Sequence, residues 1–127
     1  MRPLLASLAL AFLLSGCDLF GGDALRITYS VNATGANGPV TLTYDGPDGP
    51  VRVEDAFIPF SERIQINGPR VGSVYLLNAE TTCNGPCTLT VEVEAAVGGT
   101  PFTSEDEVVY TESDPRTVAT SASILYR

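Results

Sequence analysis

Apolar and polar residues alternate along most of this chain from residue 24 onward. The segment TLTVEVEA, residues 88–95, is the clearest case, with Leu, Val, Val and Ala at every second position and Thr or Glu between them. Successive side chains of a β-strand point to opposite faces of the sheet. The alternation therefore predicts half-buried strands here and in segments 25–31 and 40–44.

The number and spacing of these segments predict the fold class. No segment after the N-terminal region has the apolar stripe of a helix, and about eight short strands can be counted. We expect an all-β fold, an antiparallel immunoglobulin-like β-sandwich of about seven or eight strands, preceded by a signal peptide. Segment 74–83 is apolar on both faces at its start, which predicts a central strand. Pro59 predicts a bend or an edge.

A recurring triplet predicts the connections between strands. Asn-Gly-Pro stands at 37–39, 67–69 and 84–86, and Asp-Gly-Pro at 45–47 and 48–50. The residue before a proline is driven toward extended conformations, which disfavours the tight turn that Asn-Gly alone would indicate. We expect loops wider than a two-residue hairpin at these places, separating the strands.

The N-terminus has the pattern of an export signal. A positive start, Met1-Arg2-Pro3, precedes an apolar run over residues 4–14. The run is shorter than the roughly 20 residues that span a bilayer, and it fits the apolar core of a secretory signal.

The next residues resemble the lipobox of bacterial lipoproteins: Leu14, Ser15, Gly16 and Cys17. The resemblance implies cleavage after residue 16 and a diacylglycerol on the Cys17 thiol. Two or three acyl chains hold a protein on a membrane almost permanently. The predicted organisation is a signal peptide over 1–16, a lipidated cysteine and flexible tether over 17–23, and one domain over 24–127.

Cys83 and Cys87 flank Asn-Gly-Pro and predict a disulfide. The domain of a lipoprotein lies outside the cytoplasm, where thiols tend to become disulfides. With Cys17 taken by lipid, an even pair remains, and a hairpin tip at 84–86 would place the two residues opposite each other. A redox centre is an alternative, but CNGPC has one residue more than the CGPC of thioredoxins. Half of a metal site is a further alternative, but the chain has no imidazole and no second CxxC to complete such a site.

The amino-acid composition limits the catalytic and binding functions that the chain can have. Acidic residues number 15 against 7 Lys and Arg, the net charge is −8, and the chain has no His, Lys or Trp. This excludes His-based triads and zinc sites and Schiff-base lysines. It also disfavours nucleic acid and anionic lipid headgroups as partners, because the chain lacks the basic patch that counterion release requires. We expect a protein that is not an enzyme, with no catalytic residue, no metal, and no cofactor except the lipid on Cys17.

Four acidic residues lie close together in sequence: Asp45, Asp48, Glu54 and Asp55. Calcium prefers such oxygen ligands, although the spacing differs from that of an EF-hand. Turn formation by Asp is the other interpretation.

Several segments are similar to the soluble domain of the MmpS family of mycobacterial membrane proteins. The similarity lies in Pro59-Phe60-Ser61, in VYLLNA at 74–79 and in residues 87–99, within a match over roughly 25–110. It implies a β-sandwich held at a membrane that assists an RND-type transporter, which in that family exports lipids or siderophores. The chain departs from the family in its lipobox, where the family has a transmembrane helix, and in having no cysteine near the C-terminus.

The sequence therefore predicts a non-catalytic accessory or interaction module in the cell envelope. Its lipid anchor would hold it on a bacterial membrane with the domain outside the cytoplasm, and its partner would be a membrane transporter or another envelope protein. A stand-alone module that binds calcium, a glycan or a small solute is the alternative.

Overall fold

The structure, a computed structural model, describes residues 24–127, and this part is built of antiparallel β-strands. The six strands are β1 (Leu25–Gly46), β2 (Gly49–Ala56), β3 (Phe60–Ile66), β4 (Val74–Val97), β5 (Thr100–Tyr110) and β6 (Arg116–Leu125). The predicted signal peptide, over 1–16, and the tether, over 17–23, lie outside the described residues.

One sheet contains all six strands, and the long strands β1 and β4 form its centre. They pair with each other from Arg26–Ala96 to Tyr44–Leu77. β3 adds to the start of β1 and β5 to the end of β4, which gives what we call the first half of the sheet. β2 adds to the end of β1 and β6 to the start of β4, which gives the second half.

The sheet curls back so that its two halves face each other. Tyr29 and Tyr44 lie on the same strand, and in a straight strand their Cα atoms would be about 50 Å apart. Their ring centroids are 5.0 Å apart. The Tyr29 hydroxyl also donates a hydrogen bond to the Asp45 carbonyl oxygen at 2.7 Å. Both contacts require β1 to fold back on itself between the two tyrosines.

The concave faces of the two halves share one apolar core. The alternation predicted for segments 25–31 and 40–44 is confirmed, because every second residue is buried in each. The buried positions are odd-numbered in the first segment and even-numbered in the second. The phase changes because the ladder between β1 and β4 shifts register at 35–40. Without that shift, one of the two segments would present its polar side to the core.

The number of strands differs from expectation, whereas segment 74–83 lies where it was predicted. Six strands are found where about seven or eight were expected, because β1 and β4 each run through both halves of the sheet. The predicted central strand is confirmed, since β4 has neighbours on both sides. Its start is not covered on both faces, however: Val74 is 56% exposed and Leu76 43% exposed on the convex side.

The sheet bends where two Asn-Gly-Pro triplets face each other, 37–39 in β1 and 84–86 in β4. Gly35 pairs with Cys87 and Asn37 with Cys83, so that two steps along β1 match four steps along β4. Extra residues of this kind form a β-bulge, which bends a strand and increases its twist. The expectation that these two triplets separate strands is therefore wrong. The chain on both sides stays paired with the same neighbour, so each triplet bends the strand without ending it.

The remaining triplets do separate strands. Those at 45–50 span the connection from β1 to β2, and that at 67–69 follows β3. The wide loop expected at 45–50 is wrong, however, because Gly46 pairs with Gly49 and only two residues, 47–48, form the turn. The bend expected at Pro59 is also found, because the chain turns at 58–59 between the end of β2 and the start of β3.

Gly35 allows the two bent strands to approach closely. Its φ is +91°, a conformation that L side chains rarely adopt. A Cβ atom there would lie 2.9 Å from the Cys87 Cα and closer still to the Pro86 carbonyl oxygen. The bend therefore requires a residue without a side chain at this position.

We predict that Gly35→Ala lowers the free energy of unfolding by about 2–4 kcal/mol, because backbone strain and a clash with backbone atoms combine. Gly72→Ala is the matched control: its φ is also +91°, and a Cβ there meets no atom within 4 Å. Strain alone makes it cost about 1 kcal/mol. Urea unfolding of both variants checks this, and equal losses would contradict the close approach at the bend.

Burial also affects a tyrosine between the two halves. Desolvation raises the pKa of the Tyr29 hydroxyl well above its ordinary value, with smaller contributions from the nearby Asp45, Tyr75 and Tyr44. Desolvation and Glu62 raise the pKa of Tyr44 in the same way. The folded protein therefore holds these protons at a pH at which the unfolded chain releases them.

We expect the folded protein to lose stability as the pH rises above about 10, the pKa of tyrosine in an unfolded chain. The contribution of Tyr29 is fully present below that pH, since the hydroxyl is neutral in both states. Tyr29→Phe should therefore show a shallower decline in urea midpoint between pH 9 and 12, as only the Tyr44 contribution remains. The same decline in both proteins would contradict the role given to Tyr29.

Candidate functional site

Two groups of residues were predicted to matter for function, and the structure describes one of them. Leu14, Ser15, Gly16 and Cys17, the predicted cleavage motif and lipid attachment site, lie outside the described residues. Cys83 and Cys87 are described and form a disulfide.

The disulfide joins two residues of one strand. In a straight strand, Cα atoms four residues apart are about 13 Å apart, whereas those of Cys83 and Cys87 are 5.9 Å apart. The bulge at 84–86 accounts for the difference. Our expectation of a hairpin tip there is wrong, because β4 continues past Cys87 against the same partner, β1. The predicted bond is confirmed, and it closes the bulge of a strand.

Both cysteines belong to the core. Cys83 is fully buried and Cys87 is 4% exposed. Reagents in solvent therefore have little access to the disulfide. Next to it, the Thr81 hydroxyl donates a hydrogen bond to the Gly38 or the Pro39 carbonyl oxygen, each at 3.0 Å. These contacts link β4 to the other triplet of the bend. The arrangement is that of a structural bond.

The acidic residues named as a calcium candidate do not form a common site. The Asp45 carboxylate accepts a hydrogen bond from the Leu76 amide at 2.9 Å. The Glu54 carboxylate lies 3.2 Å from the Arg52 Nε in an exposed ion pair. Asp55, the penultimate residue of β2, has φ +51°. Within residues 24–127, no group of three or more Cys, Asp or Glu side chains has the geometry to hold a metal ion.

One end of the curled sheet brings together strand ends that are distant in sequence. We call it the open end, and it lies opposite the bend. In the first half of the sheet, β1 begins, β3 and β4 end and β5 begins there; in the second half, β1 and β6 end and β2 and β4 begin there. The connection from β3 to β4 crosses it, with the Gly72 amide donating to the Tyr126 carbonyl oxygen at 2.7 Å. Residue 24, the first one described, also lies at this end.

Exposed apolar side chains concentrate at the open end. Eight large apolar residues of the described part are exposed, and six of them lie there. The six are Val51, Val71, Val74, Leu76, Phe102 and Leu125. Val71 protrudes from the connection between β3 and β4 and is 79% exposed. Val74 and Leu125 are directly paired across β4 and β6, so part of the set is contiguous.

A cleft of about 320 Å³ opens between the two halves at the same end. The Thr120 hydroxyl donates to the Asp106 carboxylate about midway along β5 and β6, and the cleft lies between that contact and the open end. Val97, Thr100 and Phe102 line one side of the cleft, and residues 125–127 line the other. The lining is mainly apolar, with the Arg127 side chain at its rim.

The charges of the chain are unevenly placed. Arg26, Arg70 and Arg127 lie at the open end, and Arg63 shares a surface depression with Arg26. Acids near this end include Asp45, Asp48, Glu62 and Glu94. At the bend, the acids Asp55, Glu112 and Asp114 lie in or beside its connections, and Arg116 there stacks on the Tyr110 ring at 5.6 Å.

The sequence signal for the open end was present, but we interpreted it differently. The apolar run that begins segment 74–83 contains Val74 and Leu76, which face outward, as well as Tyr75 and Leu77, which face the core. Residues apolar on both faces predict a central strand, the position that β4 has. Nothing in the local sequence distinguishes that case from an exposed apolar surface.

Over residues 24–127, the structure has no helix with the length and apolar character needed to cross a bilayer.

Comparison with known proteins does not assign a family. No protein-family model matches the chain, and no curated protein matches it. Among solved structures, the chain is similar to a domain of unknown function, DUF4425, from Bacteroides vulgatus, with a TM-score of 0.47 and 14% identity. The similarity covers 85% of this chain and 99% of that one. It is too low to support an argument about function.

We predict that replacing both Cys83 and Cys87 with Ala lowers the free energy of unfolding by about 2 kcal/mol or more. Loss of the five-residue ring accounts for about 2 kcal/mol through the entropy of the unfolded chain, and loss of buried sulfur adds to it. Urea unfolding of the oxidised protein and of the double variant measures the difference. Equal midpoints would contradict a stabilising role for the bond.

Proposed function

We propose that this chain is a lipid-anchored, non-catalytic module of the bacterial cell envelope, with its domain outside the cytoplasm. The observation that carries the proposal is the buried disulfide between Cys83 and Cys87. Structural disulfides are rare in the cytosol and common in exported proteins. The bond also occupies two of the three cysteines. Cys17, in its lipobox-like setting, is then the cysteine free to carry lipid.

We place the domain in the class of immunoglobulin-like β-sandwiches. Two faces of antiparallel strands with one shared core support this assignment. Counting each half of the bent strands β1 and β4 separately gives eight strand segments, which is within the range of such folds.

The proposed role of the module is to assist a membrane assembly, with an RND-type transporter as the partner. The support for this partner is the similarity to the MmpS family in segments 59–61, 74–79 and 87–99. Those segments lie at the start of β3, along the central strand β4 and in the turn that follows β4. A lipid anchor would keep the module beside such a partner without a transmembrane helix.

A second candidate function is the binding of a small apolar solute, and the cleft at the open end favours it. The cleft volume of about 320 Å³ is at the small end of the range of ligand sites, roughly 300–1,000 Å³. Its apolar lining with one arginine suits an acyl chain or another amphiphile better than a glycan. For calcium, the acidic residues of the described part offer no common site.

We predict that the protein made in a bacterial host is found in the membrane fraction, and that Cys17→Ala moves it to the soluble fraction. The mass of the wild-type protein should show loss of residues 1–16 and addition of acyl chains. The matched control is the double variant in which Cys83 and Cys87 are Ala. It also loses cysteines, but it should stay with the membrane. A soluble wild-type protein with an intact N-terminus would refute the proposal.

Crosslinking of the membrane-held protein tests the accessory role. Recovery of a transporter subunit supports it. Repeated recovery of no envelope protein contradicts it and leaves solute binding as the better candidate.

A further inference from the structure

We propose that the open end of the domain is a membrane-contact surface, whose exposed apolar side chains enter the headgroup interface of the lipid bilayer. The proposal rests on the lipid anchor proposed above. Its starting point is the uneven placement of apolar residues: six of the eight exposed large ones in the described part lie at the end where residue 24 lies. Contiguous exposed apolar surface on a protein marks an interaction site.

The anchor would hold this end close to the bilayer. From Cys17 to residue 24 the chain makes seven steps, which span at most about 25 Å when fully extended. Residue 24 leads directly into β1, whose first residues pair with the end of β3 and the end of β4. The open end is therefore the part of the domain that a lipid on Cys17 keeps nearest to the membrane.

The shape of the surface fits a bilayer better than a protein segment. Val71 stands on a projecting connection at 79% exposure, and Val74 and Leu125 lie beside each other on the convex side of the sheet. Projecting apolar side chains can enter the soft region between lipid headgroups without a groove.

The distribution of charged side chains favours the same orientation, with the open end toward the membrane. An acidic chain with a net charge of −8 is repelled as a whole by an anionic membrane surface. Arg26, Arg63, Arg70 and Arg127 at or near the open end are attracted to it, while Asp55, Glu112 and Asp114 at the bend are repelled. The acids at the open end, which include Asp45, Asp48, Glu62 and Glu94, offset part of this attraction. The open end is still less negative than the bend, so an anionic surface favours the orientation with the open end toward the lipid.

A single introduced tryptophan tests the proposal, because the chain has none. Val71→Trp places the reporter at the open end, and Phe57→Trp is the matched control at the bend, where the native side chain is 92% exposed. Val74→Trp repeats the measurement from strand β4. Each lipidated protein is purified from membranes and incorporated into phosphatidylcholine and phosphatidylglycerol vesicles with or without brominated acyl chains, which quench tryptophan by contact.

We expect brominated lipid to reduce the emission of the Val71→Trp and Val74→Trp proteins by at least half and to leave that of Phe57→Trp nearly unchanged. Proteins that float with the vesicles but show no quenching at 71 or 74 would overturn the membrane-contact surface and leave the anchor intact. A blue-shifted but unquenched emission at 71 would indicate a protein neighbour and would also overturn it. Protein that fails to float would refute the anchor itself, and the surface proposal with it.

Discussion

The bend of the β1–β4 pair is the constraint on which the rest of the structure depends. Two strands of 22 and 24 residues would, if straight, form a ribbon with both faces open to water. Bulges at the facing Asn-Gly-Pro triplets fold the ribbon, and the concave faces then bury each other. Gly35 permits the close approach of the backbones, and the disulfide closes the bulge in β4. The shared core, the change of phase in β1 and the open end all follow from this bend.

Local pattern predicted a large part of this fold. The alternation at 88–95 and 25–31 identified the core residues, and segment 74–83 was correctly placed at the centre of the sheet. The bend was not predicted, because an Asn-Gly-Pro triplet has the same local preference whether it separates strands, as at 67–69, or bends one, as at 84–86. Which outcome occurs depends on whether the flanking residues keep one partner or change to another, and that is a property of the whole sheet.

Of the functional features, the disulfide could be predicted from the sequence and the open end could not. The bond between Cys83 and Cys87 followed from residue type and compartment, so the sequence sufficed, although its position within one strand did not follow. The open end could not be predicted, since Val71, Phe102 and Leu125 meet there only after the sheet has curled. Overall charge predicts repulsion from anionic lipid, and composition does not record at which end of the domain each arginine lies.

The place of β1 in the sheet has a mechanical consequence. A pull on residue 24 acts on a strand that is hydrogen-bonded on both sides, to β3 and to β4. Ladder hydrogen bonds run across the strands, so a force along β1 loads many of them at once in shear, whereas an edge strand pulled from its end would peel away one bond at a time. A domain tethered through this strand would resist unfolding by a force applied at its point of attachment.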